Sequence, residues 1–197
     1  MKGRTSVLTH PLPDAVFVDG VRIPIRTDYR TGILFGELAK DEDLDDLSRM
    51  KLGLWLYCGD RLPDVDLHRL FDALLAFYRG EMSPDTVENA PSSGNAPKGG
   101  VFDFVWDGDL IYGAFLQVYR MDLTQCELHW WKFLALLTAL PPDCPFMRTA
   151  ALRCMDISGI KDEETRRKLR RAKASVRIRN TKKTNKETEE SIWQTDR

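Results

Sequence analysis

VFDFVWDGDLIYGAFLQVYRMDLTQCELHWWKFLALLTAL, residues Val101 to Leu140, is the densest apolar run of the chain, and its reading decides the fold. It carries Trp106, Trp130 and Trp131, three of the five tryptophans. Thr124 followed three residues later by Glu127 has the spacing of a capping box, in which side chain and backbone satisfy each other's donors at a helix start. Pro141 and Pro142 supply the stop. Between these signals, Trp130, Phe133, Leu134, Leu137 and Leu140 recur at helical spacing on one side, while Leu128, Trp131, Ala135 and Ala139 cover much of the other. A helix apolar nearly all round is a buried one. Spanning a membrane needs about 18 or more apolar residues, and Glu127, His129 and Lys132 interrupt a segment already too short for that. The first half of the run predicts another helix from about Asp107 to Tyr119, with a loop at Met121 to Leu123.

Outward from this centre, Ala15 to Ile25 (AVFVDGVRIPI) alternates apolar and polar residues around Asp19-Gly20, the signature of a tight hairpin turn. Pro24 marks its second strand as an edge, because proline cannot donate to a ladder. Thr27-Asp28 open a short helix whose apolar face holds Tyr29, Ile33, Leu34, Phe35 and Leu38. Leu44, Leu47, Leu54 and Tyr57 predict a second helix from about Leu44 to Tyr57, with Gly59 after its end. A third, opened by Pro63-Asp64, has the stripe Leu67, Leu70, Phe71, Leu74, Leu75 and Tyr78 and stops near Gly80. Residues 81–100 turn to Pro, Ser, Gly, Asn and Ala, too little apolar surface to offset ordering entropy, which predicts a flexible linker. Pro145 suits the first turn of a helix to about Cys154. Asp162, Glu163 and Glu164 complement the positive end of a last, basic helix, and the stretch past Asn180 is expected to fray. The fold class is therefore mainly α, a small protein of about six to seven helices with a short N-terminal β-hairpin. The expected divisions are 1–80, the linker 81–100, aromatic central helices 101–160, and a basic helix with tail 161–197, or one domain throughout.

Net charge is −1, but its distribution is uneven: Lys161 to Lys186 holds twelve basic against three acidic residues, so an acidic body carries a basic arm. A homo-oligomer built on such charge zones is admissible. Cys58, Cys126, Cys144 and Cys154 form no CxxC pair and read as packing thiols in a reducing compartment. Nothing at the start resembles a secretion signal, and no internal repeat is visible. Asp41, Asp43 and Asp45 mimic the opening of a calcium loop, yet the required Gly and Glu are replaced by Asp46 and Leu52. His10, His68 and His129 lack partners at zinc spacing. His129 reads as a satisfied, partly buried histidine; Cys126 lies three residues before it, but nothing provides an oxyanion site for that couple. Phosphate-binding loops and nucleophile elbows are absent, and Asp107 with Asp109, like Asp64 with Asp66, reads as helix-start acid. No catalytic residue, metal ligand or cofactor site is assigned, and an enzyme is not expected. The arm Arg166, Arg167, Lys168, Arg170, Arg171, Lys173 could grip phosphates, but it lacks aromatics for base stacking. Leu169, Ala172, Val176 and Ile178 give it a thin apolar seam, so a solvated or protein-docking helix is the favoured reading over nucleic acid.

Four blocks together resemble the bacteriophage "gene product fifteen" proteins of tailed phages and prophages of Gram-positive bacteria. They are PLPDAVFVDGVRIPIRTDYRTGILFGEL (Pro11 to Leu38), DFVWDGDLIYGAFLQVYRMDL (Asp103 to Leu123), LHWWKFLALLTALP (Leu128 to Pro141) and MDISGIKDEETRRKLRRAK (Met155 to Lys173). The resemblance implies a tail-assembly chaperone for long, non-contractile tails. It would bind the tape measure protein, with the tail tube protein as a further partner, in the host cytoplasm and outside the finished virion. It transfers no catalytic residue. If a groove takes a helical partner, Tyr112, Phe115, Tyr119, Trp130 and Trp131 are the candidates, because aromatics dominate interface energetics; plain core packing is the competing role for each. A nucleic-acid-binding or regulatory protein using the basic helix, or a structural tail component, are the alternatives.

Overall fold

Residues 11–60, 62–81 and 101–178 are described by the computed structural model, and among them lie two strands and seven helices. The expected linker, apart from Glu81, and the stretch past Asn180 expected to fray lie outside the described residues. The chain is mainly α. It divides into two compact units, Met1–Pro97 with Phe115–Leu140, and Lys98–Ala114 with Pro141–Arg197.

In the first unit, β1 (Ala15–Val18) and β2 (Val21–Pro24) pair antiparallel with Val18 opposite Val21. Asp19 and Gly20 take φ of 51° and 79°, the double positive angle that a two-residue hairpin turn needs. Val16, Val18 and Ile23 are buried and β1 packs on α3 (Leu67–Tyr78), so the hairpin acquires the support that a lone hairpin lacks. Helix α1 (Tyr29–Lys40) is capped by Asp28, whose carboxylate accepts from the Arg30 backbone at 2.9 Å. Its two glycines are close-approach residues: a Cβ on Gly32 would collide with the Trp130 ring, and one on Gly36 with the Tyr78 hydroxyl. Helix α2 (Asp46–Cys58) is capped by Asp45 and ends at Gly59, and α3 is capped by Asp66. Both start two to three residues later than the sequence predicts, where an Asp can accept from the exposed first-turn donors.

Helix α4 (Gly108–Tyr119) begins in the second unit and ends in the first. Helix α5 (Trp130–Thr138) departs from expectation at its start. The Thr124 to Glu127 capping box does not form. Asp122 takes the Thr124 N–H at 2.9 Å and hydroxyl at 2.7 Å in a local turn. The chain then runs extended, because Leu128 and His129 pair with residues 27–29: Tyr29 N–H donates to the Leu128 carbonyl at 2.9 Å and Trp130 N–H to that of Thr27 at 2.7 Å. A long-range bridge overrides the local cap signal. From there Phe133 is the hub of the core, its ring lying 4.9 Å from Tyr29, 5.2 Å from Phe115 and 5.8 Å from Trp130.

The second unit is built on α6 (Pro145–Cys154) and α7 (Glu163–Ser175) with the segment leading into α4. Pro145 occupies the first turn of α6 as expected. Asp162 caps α7, accepting from the Thr165 N–H at 2.8 Å, and Glu163 and Glu164 follow in its first turn. No residue of α7 is fully buried.

Candidate partner-binding surfaces

The aromatic residues singled out for a groove fall into different surroundings. Phe115 is 0 % exposed and Trp130 is 2 % exposed, so both hold the interior rather than offer a surface. Tyr119 is half-buried and its hydroxyl donates to the Leu136 carbonyl at 2.8 Å, tying α4 to α5. Tyr112 is half-buried in the second unit. The adjacent indoles of Trp130 and Trp131 donate at 2.8 Å to the carbonyls of Tyr78 and Phe77 respectively. These carbonyls belong to the last turn of α3, where acceptors run out of intrahelical donors, and that of Phe77 also accepts from the Gly80 N–H at 3.0 Å. Two consecutive tryptophans at the start of α5 thus close the end of α3, each also stacking on the residue whose carbonyl it takes.

His129 is the N-cap of α5. Its Nδ1 accepts from the Trp131 N–H at 3.0 Å and its Nε2 donates to the Pro13 carbonyl at 2.9 Å. Both ring nitrogens are engaged, leaving none to activate Cys126. Burial pulls its pKa down, the Pro13 hydrogen bond opposes this, and Lys132 adds to the lowering. Protonating Nδ1 replaces the cap acceptor with a donor facing another donor. An unfolded histidine titrates near about 6.5, and the folded value lies lower, so the cap's stabilisation is present above that pH and is lost as pH falls through the interval between the two. Urea midpoints at neutral and mildly acidic pH check this: the wild-type drop should shrink in His129→Asn, which keeps a cap acceptor without the titration.

In the second unit a side chain with the sequence signature of a plain helix-start acid organises the site. Asp107 is 1 % exposed, and Arg153 of α6 grips it with both ends of its fork, Nη1 to Oδ2 at 2.6 Å and Nη2 to Oδ1 at 2.7 Å. The same guanidinium donates to the carbonyls of Val101 at 3.2 Å and Val176 at 2.5 Å, while the Asp103 N–H reaches Asp107 at 3.0 Å. One ion pair therefore ties together the lead into α4, the helix α6 and the end of α7.

That anchoring orients the basic helix. Leu169, Ala172 and Val176 are half-buried, as the apolar seam implied. Arg166 pairs with Glu163, Lys168 with Glu164 at 2.7 Å, and Lys173 donates to the Met155 carbonyl. Arg167, Arg170 and Arg171 lie on the opposite face, exposed and without an acidic partner among the described residues.

Leu54 and Tyr57, expected with Leu44 and Leu47 on one side of α2, are buried there beside Met50 and Gly53. Leu47 sits in the first turn, 54 % exposed, and Leu52 and Trp55 are 43 % and 50 % exposed on the outward face. Trp55 is nonetheless held: its indole donates to Asp60 at 2.9 Å and the Arg26 guanidinium lies 5.9 Å from its ring centre. Among the described residues no helix is long and apolar enough to cross a membrane, and no group of His, Cys, Asp or Glu is arranged to hold a metal ion.

Against this geometry, a family model described as "Bacteriophage Gp15 protein" matches residues 8–178. No curated protein and no solved structure gives a match.

Proposed function

Since the chain belongs to the Bacteriophage Gp15 protein family, we propose that it is a tail-assembly chaperone that binds the tape measure protein and keeps it soluble while a long, non-contractile tail is built. It acts by binding and not by catalysis, in the cytoplasm of the host cell, and leaves before the virion is finished. The observation that supports this reading best is the exposure of Leu47, Leu52 and Trp55 on a single helix, α2, on a surface that also exposes apolar side chains such as Phe17, Leu34, Val105 and Trp106. A tape measure is a long helical chain with apolar stripes, and such stripes aggregate unless something covers them. Helix-on-helix docking is the economical cover, and half-exposed anchors give the moderate affinity that release requires once tail tube protein arrives.

The exposed Arg167, Arg170 and Arg171 favour a second reading, in which α7 binds nucleic acid. Residues 161–178 carry no aromatic side chain on which bases could stack, which weakens it. A tagged copy of the protein, purified from cells that also express the tape measure protein, separates the two. The chaperone reading expects the tape measure to co-purify and a DNA or RNA probe to remain unshifted at moderate salt. A shifted probe with no tape measure retained would replace it with the nucleic-acid reading.

A further inference from the structure

We infer that the exposed ridge of α2, from Leu47 in its first turn to Trp55, is the docking surface, and that its occupant is an amphipathic helix of the tape measure protein; this rests on the chaperone reading above. Leu47, Lys51 and Trp55 follow one another at four-residue steps, so they form a single ridge about 12 Å long at 1.5 Å rise per residue. Leu52 widens it beside Trp55. Trp55 is positioned on this ridge by two contacts, its indole N–H donating to Asp60 and the Arg26 guanidinium lying by its ring. A pre-set aromatic loses little side-chain freedom on binding and is a favoured interface anchor.

Charge selects the occupant. Just before the ridge lies the turn Asp41, Glu42, Asp43, Leu44, Asp45, Asp46, in which Glu42, Asp43, Asp45 and Asp46 are exposed. Arg49 offsets part of this charge by pairing with Asp46 at 2.6 Å. In the middle of the ridge stands exposed Lys51. A matching helix therefore presents apolar side chains about one turn apart to Leu47, Leu52 and Trp55, a carboxylate to Lys51, and Lys or Arg to the acidic turn. The same helix of a second copy is a poorer fit. Packing α2 on itself about a two-fold axis brings Lys51, midway between Leu47 and Trp55, against its own counterpart, and like charges across an interface disfavour that pairing.

The test uses the full chain and overlapping synthetic peptides covering the tape measure protein of the same phage, with affinity and sedimentation measured for each variant. At least one peptide should bind the wild type. Leu47→Glu combined with Trp55→Ala should weaken that binding at least tenfold, whereas Phe17→Ser, at an exposed apolar position on the hairpin, should leave it unchanged. Lys51→Glu removes no apolar anchor and should also weaken binding, most at low salt. This keeps the test decisive if the double variant folds poorly. If the wild type and the α2 variants bind the same peptide equally, the docking surface is wrong while the chaperone reading stands. If the wild type binds no peptide, the chaperone reading fails and takes this inference with it. If instead the α2 variants convert a dimer to a monomer, the face belongs to a second copy and the inference is overturned.

Discussion

Replacing Arg153 with methionine should destabilise the unit containing α6 and α7 by about 3–5 kcal/mol, the range for removing one member of a buried ion pair. The reason lies in what is left behind. Asp107 would remain almost fully buried with its carboxylate facing no cation, and the carbonyls of Val101 and Val176 would each lose a donor. The pair itself need not be strongly stabilising, because taking two charges out of water costs about as much as their attraction returns. Combining Arg153→Met with Asp107→Leu should therefore recover much of the loss, since neither charge then stays buried alone. Urea denaturation followed by circular dichroism measures both variants. A single substitution that costs under about 1 kcal/mol would mean that the carboxylate finds water or another partner, and that the ion pair does not organise this unit.

The second large effect separates two neighbouring tryptophans. Trp130→Ala should cost about 3–5 kcal/mol, as large-to-small changes in a packed core do. Its ring fills the space that Gly32 leaves open, stacks on Tyr78 at 5.3 Å and on Phe133 at 5.8 Å, and closes the end of α3 through its indole N–H. Trp131 makes an equivalent hydrogen bond to Phe77 but is only half-buried. Trp131→Ala should cost about 1–2 kcal/mol, the value of one hydrogen bond and its ring contacts with Phe77 and His129, with little cavity left behind. Thermal melts of the two variants give the comparison. Equal losses would contradict the assignment of Trp130 to the core and Trp131 to its edge.

Local signals explain why most helices were legible in the sequence. Asp28, Pro145 and Asp162 each sit where a first-turn donor or a fixed φ makes one residue type favourable, and α1, α6 and α7 start there. Asp19-Gly20 likewise specified the hairpin. What failed was long-range. The start of α5 moved from Thr124 to Trp130 because residues 128–130 bond to the backbone of 27–29, a partnership about a hundred residues away in the chain that no window could register. Histidine is not a usual cap, so His129 carried no warning of its role. One missed feature did leave a trace: Phe146, Ala150 and Arg153 follow the i, i+4, i+7 spacing of a packed face, and an arginine there calls for a buried acid.

The candidate surface was harder to read than the fold. Apolar residues in sequence are first assigned to a core, and in this chain that is correct for Phe115 and Trp130. It is not correct for Leu47, Leu52 and Trp55, whose exposure depends on which side of α2 the neighbouring helices cover. Helical periodicity defines a stripe but not the extent of its cover, so surplus apolar residues on a well-packed helix emerge only from the folded arrangement.

The measurement that tests the central claim most directly is the soluble fraction of the tape measure protein expressed alone and together with this chain. Co-expression should move it from the insoluble to the soluble fraction, and a chain carrying Leu47→Glu with Trp55→Ala, expressed to the same level, should not. An unchanged soluble fraction with the wild-type chain present and folded would contradict the chaperone reading.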